Sequence, residues 1–215
     1  MAVAATALVL SFLLLTILVA PARLAAQNTR SLRVSQVYGG GGNSGAPYNA
    51  DFVELFNASS GPVSLENWSI EYASASGTNW LPTPLSGTIH PYSYFLVQQQ
   101  AGANGELLPQ PDAPGATAMS SESGKLRLID STGAVVDFVG YGSANESETS
   151  PAPALSNSKA ALRQENGCVD SGNNSADFVA TEPNPRNSIA PANLCSNPPE
   201  TPTPDPLATP TPAPT

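Results

Sequence analysis

Three features of the chain predict an all-β fold. No segment after Ala26 repeats apolar residues at helical spacing over a useful length. Short β-rich runs recur instead, divided by Gly, Pro, Asn and Ser. Several of these runs alternate apolar and polar residues with the strand's period of two. Together they describe an antiparallel β-sandwich, two sheets packed face to face.

Strands are predicted at residues 31–38, 51–57, 63–65, 68–73, 85–90, 94–98, 125–130, 134–139, 160–163 and 177–179. In 51–57, Val53 and Leu55 share one face, and Phe52, Glu54 and Phe56 share the other. In 68–73, Trp68, Ile70 and Tyr72 point one way, Ser69 and Glu71 the other. Phe95, Leu96 and Val97 are apolar on both faces, which predicts a central strand. Leu126 and Leu128 point inward, against Lys125 and Arg127. Ser131-Thr132-Gly133 is a hairpin turn signal before the next strand. The long polar stretch 99–124 is predicted to be a surface excursion and a binding edge.

The ends differ from this middle. Residues 1–20 are almost wholly apolar, and small-residue sites follow at Ala20-Pro21-Ala22 and Leu24-Ala25-Ala26. This is the shape of a secretory signal peptide cut after Ala22 or Ala26, although no Lys or Arg precedes the apolar run. The run is also long enough for an uncleaved anchor. Residues 197–215 alternate Pro with Thr and Ala, the composition of an extended stalk or linker. The expected organisation is a signal peptide at 1–26, one β-sandwich domain at 27–196 and the stalk at 197–215.

Lys and Arg number 8 against 17 Asp and Glu, for a net charge of −9. So few cations argue against a nucleic-acid partner, whose phosphates need clustered positive charge. In a secreted chain Cys168 and Cys195 are expected to pair, closing a loop before the stalk. His90 is the single histidine, so a Cys/His zinc cluster has too few ligands.

Four stretches taken in order carry a family likeness: DFVELFNASSGPVSLENWSI, GTIHPYSYFLVQ, SGKLRLIDSTGAVVDFVGYG and NNSADFVATEPNPRNS. They resemble the lamin tail domain, an immunoglobulin-like sandwich, in the secreted bacterial form found beside extracellular nucleases and other surface enzymes. The likeness spans roughly residues 31–188 and includes the Gly-rich opening VYGGGGNSGAPYNADFVELFN. It implies a non-catalytic module, secreted or at the cell surface. Its partner would be an extracellular protein or polysaccharide, and the expected state is a monomer. Two alternatives are an accessory piece of an extracellular enzyme such as a nuclease, and a structural spacer in a larger surface protein.

Candidate sites are few. Gly40, Gly42 and Gly45 spell G-x-G-x-x-G, but a phosphate cradle needs a helix after its glycines, and here a strand pattern follows. The expected role is a mobile connection between strands. Asp170, Asn173, Asn174 and Asp177 offer four side-chain oxygens in eight residues, a set that could ligate calcium. Such runs more often make Asx turns. No other cofactor is expected. Glu54, between Phe52 and Phe56, is either part of an open binding patch or covered and paired with a cation such as Arg163 or Lys125. Asp51 and Glu54 lie three apart on a strand and face opposite ways, and no nucleophile accompanies His90, so no catalytic set is expected.

Overall fold

The computed structural model describes residues 32–195. The predicted signal peptide and stalk lie outside them. The described strands are β1 Leu32–Tyr38, β2 Ala50–Asn57, β3 Val63–Ser64, β4 Ser69–Ser74, β5 Leu81–Pro84, β6 Thr88–Ile89, β7 Tyr94–Ala101, β8 Gly124–Ile129, β9 Val135–Tyr141, β10 Ala160–Arg163 and β11 Phe178–Thr181. One sheet runs β11-β10-β1-β2-β7 and faces a second ordered β5-β4-β8-β9, with the short pair β3-β6 beside them. All the named strand pairs are antiparallel. The result is the expected immunoglobulin-like β-sandwich.

The alternation read from the sequence places the core. Val53 and Leu55 meet Trp68, Ile70, Tyr72, Leu126 and Leu128 in one apolar cluster between the sheets. The β8–β9 turn is a hairpin: Gly133 takes φ 84°, and Asp130 Oδ1 accepts from the Thr132 and Ala134 amides. The other face of β2 is also closed. Phe52 packs with Tyr38, Tyr48, Leu96 and Leu108 in a second, smaller cluster.

Two expectations need correction. β7 is the last strand of its sheet, not a central one. Its far edge is covered by the chain that follows: Leu96 N–H donates to Asp112 Oδ2 at 2.8 Å, Gln98 N–H to Ala113 O at 3.0 Å and Gln100 N–H to Thr117 O at 3.1 Å. The excursion therefore acts partly as an edge cover, and its Leu108 packs against the outer-face cluster that holds Leu96. β5 lies outside the predicted strands and carries Pro82 and Pro84. It is an edge strand paired to β4 alone, the setting that tolerates proline.

After β10 the chain turns at Gln164–Gly167 with Glu165 and Asn166 in the left-handed region, and a single helical turn, Asn174–Asp177, precedes β11. Cys168 and Cys195 form the expected disulfide. No described helix is long and apolar enough to cross a membrane.

Candidate functional site

Between β1 and β2 the chain passes through Gly39–Gly42, and the structure explains the glycines by contact. A Cβ on Gly39 would lie 2.3 Å from Ser120 O, one on Gly41 would lie 1.9 Å from Ala50 C, and one on Gly42 would lie 2.3 Å from Gly102 Cα. Backbone here packs directly on backbone, so the loop is pinned and the expectation of a mobile connection is corrected. Strand β2 follows the loop, where a phosphate cradle would open a helix.

The loop and the residues packed on it wall a polar cleft of about 230 Å³, with Gly41, Gly42, Asp51, Gln100, Gly102 and Met119 among its lining. Asp51 Oδ1 accepts from Gly41 N–H at 2.8 Å, and Oδ2 accepts from Met119 N–H at 2.9 Å. Burial pushes the Asp51 carboxyl up to about 6, against the pull of those two amides. Beside this cleft, sharing Ala118, a shallower apolar groove of about 390 Å³ runs between β5 and residues 114–118.

The predicted calcium residues lie elsewhere, around Arg163. Its side chain is fully buried. Nε donates to Val34 O at 2.8 Å, Nη2 to Asp137 Oδ2 at 2.9 Å, and Nη1 to Val169 O, Asp170 Oδ1 and Asp177 Oδ2 at 3.1–3.4 Å. Asp177 also accepts from Ser171, and Asn173 caps its own helical turn by accepting from the Ser175 N–H. Asn174 accepts from Gly140 N–H and donates to Glu148 Oε2. Oxygens of Glu148, Asp170 and Asp177 lie within 4.8 Å of one another. The positive charges they face are the Arg163 guanidinium and, at Asp170, that of Arg33, whose Nε lies 3.7 Å from Oδ2. Burial first, then the Asp137 charge, pushes Glu148 up to about 7. Asp170 and Asp177 are thus brought together, whereas Asn173 and Asn174 serve turn and loop hydrogen bonds.

Glu54 is covered, and its cation is Arg186, not Arg163 or Lys125. Arg186 Nη2 donates to Oε1 at 2.7 Å, the Arg186 backbone N–H donates to Oε2 at 2.7 Å, and Ser35 Oγ donates to Oε1 at 2.6 Å. Burial raises the Glu54 pKa and Arg186 opposes it. Arg186 also lies 3.9 Å over the Tyr94 ring, next to Phe56. The aromatic and acidic face is therefore interior. Lys125 instead reaches Asn145 and Glu146. His90 is exposed on the surface.

Trp80 takes part in the ring contacts of the outer face. Arg127 sits 4.3 Å over its ring, with Phe138 edge-on at 6.0 Å. Trp80 lies outside every predicted strand, and no local pattern marks it.

Comparison with known proteins places this geometry. A crystal structure of a DUF4876 family protein from Bacteroides thetaiotaomicron VPI-5482 superposes with a TM-score of 0.53 at 12% identity, covering 76% of this chain and 74% of that one. At that identity the likeness is one of fold. No curated protein matches the chain in sequence. Residues 25–143, more than half of the chain, match the family model of the Lamin Tail Domain. By that match the chain belongs to the Lamin Tail Domain family.

Proposed function

We propose that the protein is a secreted, non-catalytic binding module, held at the cell surface or in the extracellular matrix, whose partner is a polysaccharide. The observation that carries this reading is the cleft at Asp51. Its wall is largely backbone, its lining is polar, and its one charge is a carboxylate whose oxygens each accept a single amide. Each oxygen keeps a lone pair, and the Gln100 and Asn43 amides at the rim offer donors and acceptors. That is a surface suited to sugar hydroxyls. An anionic nucleic-acid backbone suits it poorly, because the cleft lining carries no cation. The disulfide and the N-terminal apolar run support an oxidising, extracellular setting.

The test is calorimetric or array binding of the mature chain to cell-wall and matrix polysaccharides, beside surface proteins and DNA. Asp51→Asn is expected to abolish binding while leaving the domain folded. Undiminished binding by the variant would sink the cleft as the site. Failure of the folded wild type to bind any polysaccharide would sink the reading. Hydrolysis that depends on one carboxylate, with or without divalent metal, would favour an enzyme instead.

A further inference from the structure

The chain has two lysines, and they are treated differently. Lys159 is exposed, whereas the Lys125 side chain is 1% exposed although it lies on the outer face of β8. Its cross-strand neighbour on β9 is Gly140. Because Gly140 has no side chain, the loop 144–147 lies directly on it: a Cβ there would come 2.2 Å from Glu146 O and 2.8 Å from Ser147 Cβ. The Asn145 N–H is fixed to Ala75 O at 2.8 Å. This drapes two side chains over the end of the lysine. Lys125 Nζ lies 2.7 Å from Asn145 Oδ1 and 3.0 Å from Glu146 Oε2. The Trp80 ring lies 5.5 Å from the same nitrogen.

A plain ion pair needs only Glu146. Here the amine is also held against a carboxamide, with a carboxylate touching the amine, inside a fixed frame. The amine touches the carboxamide at Oδ1, one bond from the carbon it would attack, and touches the carboxylate that would carry its protons, the arrangement that turns a slow bimolecular reaction into an intramolecular one.

We propose that Lys125 and Asn145 join in an intramolecular amide bond, with Glu146 carrying the protons. Lys125 Nζ gives a proton to Glu146 and attacks Asn145 Cγ, forming the new N–C bond. The Cγ–Nδ2 bond then breaks. The two protons that Nζ sheds leave on the departing nitrogen as ammonium, so Glu146 ends as it began. Nothing is oxidised or reduced, and no water or cofactor is consumed. The bond fastens the 142–151 loop to β8 and so closes the outer face of the four-stranded sheet.

Intact-mass measurement of the purified full chain tests this, followed by tandem mass spectrometry of its proteolytic peptides. The expected result is a chain lighter by one ammonia, with a branched peptide joining Lys125 to Asn145. Cyclisation of an N-terminal Gln27 would lose the same mass, so the branched peptide is the deciding observation. It should disappear completely in Asn145→Ala and in Lys125→Arg, and form far more slowly in Glu146→Gln. A folded wild-type protein that yields only separate, linear Lys125 and Asn145 peptides overturns the proposal. That measurement does not depend on any variant folding.

Discussion

Residues 32–143 and 144–195 contribute to the domain in opposite ways. The first stretch holds β1 to β9 and most of the apolar cluster between the sheets, and it lies within the family match. The second adds two strands and a few apolar residues, chiefly Ala152, Leu155, Ala161 and Phe178. Yet it supplies the cation for both ion-paired buried carboxylates of the first: Arg163 for Asp137 and Arg186 for Glu54. It also gives β1 a partner on its outer edge and meets the Gly140 amide with Asn174. Apolar burial closes the space between the sheets. The buried charges of Asp137 and Glu54 find their cations in chain that returns from beyond the matched region.

The most severe way to break that comparison is to end the chain after Ser143. Asp137 and Glu54, both nearly or wholly inaccessible, would lose their arginines. Unpairing a buried ion costs about 3–5 kcal/mol each time, and a whole domain has only about 5–15 kcal/mol of stability. Residues 27–143 alone should show no cooperative unfolding by circular dichroism. A sharp transition near that of the full chain would mean the second region is dispensable.

A single side chain separates the two contributions more gently. Arg186→Ala should cost about 3–5 kcal/mol in urea unfolding, because Glu54 stays buried without its cation. Adding Glu54→Gln should recover part of that loss, since an amide needs no counter-charge. Strict additivity in this double-mutant cycle would contradict the pairing.

The disulfide comes next in size. Cys168→Ser with Cys195→Ser should lower stability by roughly 3 kcal/mol for a separation of 27 residues. Hydrogen exchange should rise most in residues 182–195, the segment that the bridge ties over Glu54 and Tyr94. A uniform rise over all strands would mean that the bridge acts only through the unfolded chain.

What the sequence revealed follows the same division. Period-two alternation assigned Val53, Leu55, Trp68, Ile70, Leu126 and Leu128 to the core correctly, because that signal is local. It also separated Phe52, Glu54 and Phe56 onto another face, but nothing local says what covers a face. Arg186 is 132 residues from Glu54, and no spacing rule links them. Phe95–Val97 looked central because both faces are apolar, and the real cover of the outer face is a loop. The glycines were legible as a strand connection, but the packing that demands Gly39, Gly40 and Gly42 comes from Ser120, Asn157 and Gly102, all distant in sequence.

Asp51 sharpens the comparison from within the first region, because it is a buried carboxylate with no arginine. Its two amides do not offset burial, so its pKa is about 6 when folded against an ordinary 3.8. A native state that holds its proton more tightly is favoured where that proton is bound. This contribution is fully present below about pH 4 and is lost as the pH rises through about 6, to the extent of about 1–3 kcal/mol. Glu54 and Asp137 are pushed up by burial too, with arginines opposing, so the wild-type profile is composite. Subtracting the Asp51→Asn profile isolates Asp51, since an amide does not titrate. Between about pH 4 and 7 the wild-type Tm should fall more steeply than that of the variant. Parallel profiles would mean that the two amides already stabilise the carboxylate as well as an arginine does, and the contrast between the regions would lose its electrostatic basis.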